Sequence, residues 1–220
     1  DLDCLMVLPN DNSQQMWWSR NGLNTVDGIL RAMKMRFNID EDRVYLMGFS
    51  DGATACQWMA AVDPSPWAGF LAMSGDFSVS KSSPYQVYPE NLADSFLRIV
   101  NGEDDPVYPG KWIEQVIIRK LKGWGIPVEW QLYYGVGHRL DYLGREIPRI
   151  RQMLSTERLP FRQQIRWLSS DPRTGRRDWL MIDKIGDQRD SKHILNFQSR
   201  PIFFDLGIKE DGSFRGPGIK

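Results

Sequence analysis

The stretch VYLMGFSDGA, Val44 to Ala53, sets five apolar residues against a serine held between two glycines. Its apolar run reads as a buried strand. The segment DGATACQWMAAV, Asp51 to Val62, follows as a helix rich in small residues. A strand passing through a Gly-x-Ser-x-Gly turn into a helix holds its serine, Ser50, exposed at the tip. Gly48 and Gly52 would permit the sharp turn and the close approach of helix and strand. The same residues also suit a plain strand–helix turn with a capping serine. The neighbouring elements bear on the choice.

Outward from this stretch, strand-like and helix-like patterns alternate. CLMVLP (4–9) is a short apolar run, read as a buried strand. TVDGILRAMKMRF (25–37) carries Val26, Ile29, Leu30, Met33 and Phe37 at helical spacing, with Asn24 or Thr25 as its cap. WAGFLAMSG (67–75), SFLRIVNG (95–102) and PVEWQLYYGVG (127–137) read as further strands. GKWIEQVIIRKLKGWG (110–125) reads as an amphipathic helix stopped by Gly123 and Gly125, and REIPRIRQML (145–154) as a last helix. Alternation of this kind predicts an α/β fold, a mostly parallel sheet with helices on both faces. Ligands of such sheets bind beyond the carboxyl ends of the strands, so chemistry is expected in the loops that follow strands.

Two more such loops carry suitable residues. IVNGEDDPVYPG (99–110) ends a strand in an acidic cluster closed by two prolines. Asp105 directly precedes Pro106, whose ring restricts the backbone before it and can aim the carboxylate. A solvated acidic turn would look the same. YYGVGHRLDY (133–142) ends a strand in a glycine-flanked loop bearing His138, one of two histidines in the chain. Ser50, Asp105 and His138 thus follow three strands in the order serine, aspartate, histidine. Such a set can act as nucleophile, orienting acid and general base. The backbone N–H of Asp51, at the start of a helix, would face the developing oxyanion. The other histidine, His193, lies in a different region and is read as structural or exposed.

These residues carry a family resemblance. NIDEDRVYLMGFSDGA, WAGFLAMSGDF, NGEDDPVYP and VEWQLYYGVGHRL resemble the strand-and-loop segments of α/β-hydrolases. The likeness is strongest to the carboxylesterase/phospholipase group and to dienelactone-hydrolase and polyhydroxybutyrate-depolymerase-like esterases. It covers roughly residues 1 to 155. It implies a serine esterase in which Asp105, rather than Asp104, is the triad acid, with no cofactor and no metal. Its substrate would be a small-molecule or polymer-linked ester. These families also carry an earlier strand ending in an HGG-like loop, the source of a second oxyanion donor, and no such segment occurs in this sequence. The resemblance places that strand between CLMVLP and RVYLMGF, so the expectation is that an upstream or partner segment fills the slot. A prolyl-oligopeptidase-type peptidase and a non-catalytic hydrolase-like scaffold remain the alternatives.

The rest of the composition is permissive. Lys and Arg equal Asp and Glu in number, 28 each, which gives no support for a nucleic-acid or anionic-membrane surface. No apolar run approaches a membrane span. Cys4 and Cys56 lie in apolar stretches and read as buried free thiols. Trp17 and Trp18, in MWWSRNG, are read either as a wall of the substrate pocket or as core. Beyond about residue 155 the pattern changes. IRWLSSDPRTGRRDWLMIDKI reads as two strands around the turn DPRTG, and KHILNFQSRPIFFDLGI suggests more. The division expected is therefore a partial hydrolase domain, 1–155, and a small all-β appendage, 156–220.

Overall fold

The structure, a computed structural model, describes residues 4–9 and 16–186. Its centre is a four-stranded parallel sheet in sequential order: β1 (Tyr45–Phe49), β2 (Gly69–Met73), β3 (Leu97–Gly102) and β4 (Glu129–Tyr133). Register runs Tyr45 to Gly69, Phe70 to Leu97 and Arg98 to Glu129. Alternate residues feed two cores. Phe70, Ala72, Leu97, Ile99 and Val128 face one, which also takes residues of the helices α1 (Arg20–Arg36) and α2 (Asp51–Val62). Leu71, Met73 and Val100 face the other, where α5 (Leu143–Met153) supplies Ile150 and Met153. The two central strands, β2 and β3, are buried along their whole length, and β2 accordingly reads as an apolar run.

Several elements differ from expectation. Cys4–Pro9 is no buried strand. Leu5, Met6, Val7 and Leu8 are exposed, as is Cys4, whereas Cys56 is buried as read. An apolar run becomes a strand only where a neighbour satisfies its backbone, and Cys4–Pro9 enters none of the sheet's registers. Helix α1 begins well before Thr25. Ser19 caps it, its side chain accepting from the Gly22 N–H at 3.1 Å. Gly22 is needed there, since a Cβ would lie 2.2 Å from the Trp17 carbonyl oxygen.

The amphipathic helix is composite. α3 (Gly110–Ile113) widens into a π turn (Glu114–Ile118) and returns as α4 (Arg119–Gly123). Ile113, Ile117, Ile118 and Leu121 all face the core. Gly125, at φ +74°, reverses the chain after it.

The region after residue 155 is also arranged differently from the reading. DPRTG is not the hairpin turn. Asp171 accepts from the Arg173 N–H and starts a 3₁₀ turn over Pro172–Thr174. The hairpin lies further on, between β5 (Arg176–Arg177) and β6 (Leu180–Met181), where Asp178 takes φ 51°. Asp tolerates this left-handed conformation better than most residues, which is what a two-residue hairpin needs. The region is bound closely to the sheet domain. Asn91 exchanges hydrogen bonds with the Leu168 backbone at 2.8 and 2.9 Å, Arg177 donates to the Asp94 carbonyl, and Arg158 pairs with Asp42. The further strands expected in 192–208, and His193, lie outside the described residues.

Candidate active site

All three sequence-predicted side chains stand at the carboxyl end of the sheet. Ser50 follows β1 directly, and its backbone (φ 57°, ψ −121°) lies in a region that non-glycine residues rarely occupy. Its N–H donates to the Met73 carbonyl oxygen, and its own carbonyl accepts from Ala53 and Thr54 as the helix begins. Gly48 makes this possible, since a Cβ there would lie 2.1 Å from the Gly52 backbone. A Cβ on Gly52 itself would meet nothing within 4 Å. The two glycines therefore do different work. Gly48 is a steric requirement, and Gly52 supplies the backbone it approaches.

The loops after β3 and β4 are fitted to each other by the same device. Gly102 leaves no room for a side chain, because a Cβ would lie 2.2 Å from the Val136 carbonyl oxygen. The Glu103 and Asp104 N–H groups donate to the Tyr133 and Val136 carbonyl oxygens. Asp104 is exposed and Asp105 is buried. Asp105 Oδ1 accepts from the Val107 and Tyr108 N–H groups at 2.9 and 2.8 Å, so its direction is set by the turn that Pro106 opens.

The other oxygen, Asp105 Oδ2, lies 2.8 Å from His138 Nδ1, and His138 Nε2 lies 3.0 Å from Ser50 Oγ. A carboxylate only accepts, so Nδ1 carries the proton, and Nε2 is left to accept from the Ser50 hydroxyl. The imidazole sits between the rings of Phe49 and Tyr108, with centroids at 4.8 and 5.7 Å. The arrangement can accept a proton from Ser50 and hold the resulting imidazolium against a buried carboxylate. Asp51 is the first residue of α2. Amides of a first helical turn have no intrahelical acceptor, and the helix dipole adds positive potential.

The two tryptophans named from the sequence are packed to different degrees. Trp18 is 5% exposed and its indole N–H donates to Ser82 Oγ at 2.8 Å. Trp17 packs half-buried against the same core. Phe49 and Tyr108 were not singled out from sequence. Phe49 looked like one more strand residue, and Tyr108 is merely third after an aspartate whose side chain caps the turn.

No family model matches the chain. A curated relative, acyl-protein thioesterase 1 of Gibberella zeae, is 31% identical over 101 residues, which are 44% of this chain and 41% of the relative. The match thus spans less than half the length of that relative. Among solved structures, a thermostable esterase superposes with TM-score 0.51 at 24% identity, covering 64% of this chain and 38% of the other. The esterase PE8 gives TM-score 0.46 at 22% identity over 66% and 68%. The chain has the α/β-hydrolase fold.

Proposed function

We propose that this protein is a serine hydrolase that cleaves carboxylic esters through an acyl-enzyme. The observation that carries the reading is the continuous hydrogen-bonded line from Ser50 Oγ through the His138 ring to Asp105. The likeness to a thermostable esterase in fold and to a thioesterase in sequence is consistent with it.

In this mechanism Ser50 Oγ attacks the ester carbonyl carbon while its proton passes to His138 Nε2. The carbonyl π pair moves onto oxygen, opposite the Asp51 N–H, an interaction worth roughly 3 kcal/mol per donor in comparable sites. Asp105 stabilises the imidazolium without taking its proton. The oxygen pair returns, the ester C–O bond breaks, and the leaving alkoxide takes the proton from His138. Water then attacks the acyl group, giving its proton to His138. The carboxylic acid departs as Ser50 Oγ recovers that proton.

A fluorophosphonate probe tests the reading in the full-length protein. Wild type is expected to be labelled on Ser50, and S50A to stay unlabelled. An unlabelled wild type would overturn the enzyme reading in favour of a binding scaffold. A protein that labels but cleaves prolyl amides in preference to esters would be a peptidase.

A further inference from the structure

Tyr108 is 7% exposed and touches both of the other catalytic loops. Its backbone N–H donates to Asp105 Oδ1 at 2.8 Å, and its backbone carbonyl accepts from Asn101 Nδ2 at 3.3 Å. Its ring packs at 56° to the His138 imidazole. Its hydroxyl reaches across to Asp51 Oδ1 at 3.0 Å. Asp51 is exposed and adjoins Ser50, so its carboxylate stands beside the site where negative charge develops during ester cleavage. The bond to Tyr108 ties the first residue of α2, and with it the Asp51 amide, to the acid loop.

We propose that Tyr108 is a positioning residue that ties the acid loop to the nucleophile turn, its hydroxyl holding the Asp51 carboxylate in one place so that the Asp51 amide stays aimed at the oxyanion. The inference rests on the serine-hydrolase reading. One side chain fixes two triad loops, because the backbone that orients Asp105 belongs to the same residue as the phenol that holds Asp51. Burial, and then the bond to Asp51 and its charge, push the phenol up to about 12 against a side-chain bond to Thr54, so the hydroxyl remains a donor at neutral pH. The bond to Asp51 is one neutral-to-charged contact beside a second side-chain bond to Thr54, so its loss slows the chemical step without abolishing it.

The test is a double-mutant cycle on full-length protein, read by the rate of fluorophosphonate labelling and by kcat and KM on a neutral aryl ester. Y108F removes only the hydroxyl and leaves the N–H on Asp105. D51A removes the acceptor, and D51N keeps an oxygen there. The expected result is a drop of about tenfold in labelling rate and kcat for Y108F and for D51A, with KM within about twofold. The double variant should be no slower than either single one, and D51N should stay within about threefold of wild type. Multiplicative losses in the double variant, a fall confined to KM, or a D51N as slow as D51A would overturn the proposal. Should Y108F not fold, D51A at its exposed position tests the same contact against D51N. A wild type that the probe does not label would fail the hydrolase reading itself, an outcome distinct from a labelled wild type with unaffected variants.

Discussion

Gly48 and Gly52 look equivalent in the motif and differ in space. A methyl at 48 would lie 2.1 Å from the Gly52 backbone, whereas one at 52 meets open space. We therefore expect G48A to lower the unfolding midpoint and to reduce ester hydrolysis at least a hundredfold, and G52A to keep both close to wild type. Circular dichroism melts and initial rates on one ester would check the pair. In the proposed mechanism the Asp105 carboxylate, 2.8 Å from His138 Nδ1, holds the His138 tautomer. D105N is expected to lower kcat by about four orders of magnitude with little change in KM, as loss of the orienting acid does in a comparable triad. A loss of tenfold or less would mean that Asp105 is not the orienting acid.

Elements are held together by charge as well as by apolar contact. Arg98 of β3 donates from Nε and Nη2 to Glu146 of α5 at 2.6 and 2.8 Å, and Tyr133 of β4 donates to the same carboxylate at 2.7 Å. Both partners are buried. Burial opposes ionisation of Glu146, but these hydrogen bonds outweigh it and hold the carboxyl below its ordinary range. A lowered folded value means stability that is present above the unfolded value and lost as pH falls through the folded one. R98M would strand the buried carboxylate. It is expected to cost about 3–5 kcal/mol by urea unfolding at neutral pH, with a smaller difference from wild type below pH 4. Asp63, at the end of α2, has the opposite sign. Burial, with help from Asp27 and against Arg176 and Arg177, pushes it from 3.8 up to about 7. The folded state therefore binds the extra proton in that window, and stability falls as pH rises through it. D63N should flatten this slope between pH 4 and 7, and an unchanged slope would assign it to another group.

At the scale of the whole molecule, the described part of the C-terminal region is hydrogen-bonded to the sheet domain. Trp167 is buried and its indole N–H donates to the Thr174 carbonyl at 2.8 Å. Asn91 links Leu168 to the Ala61 carbonyl at the end of α2. W167A is expected to cost about 3–5 kcal/mol and to unfold in one transition that carries the sheet with it. Two separated transitions would instead mark 156–186 as an independent unit.

The sequence by itself determined the parallel sheet and the three loops that hold Ser50, Asp105 and His138. The central strands are rich in apolar residues because they are buried, as β2 is along its whole length, and the loops that follow the strands carry Ser50, Asp105 and His138. The preference for Asp105 over Asp104 came from the family resemblance, and it is Asp105 that is buried and lies 2.8 Å from His138 Nδ1. The start of α1 at Arg20, the exposed course of Cys4–Pro9 and the place of the β5–β6 hairpin were not legible. Each depends on which backbone or surface a segment meets, and local pattern does not encode that partner. Tyr108 illustrates the limit. Nothing in DPVYPG marks the tyrosine, and only the fold brings its hydroxyl to Asp51, 57 positions earlier in the chain. The opening stretch thus placed the serine. Tertiary structure decided what surrounds it, since a hydrogen bond between distant residues exists only once the sheet has brought their loops together.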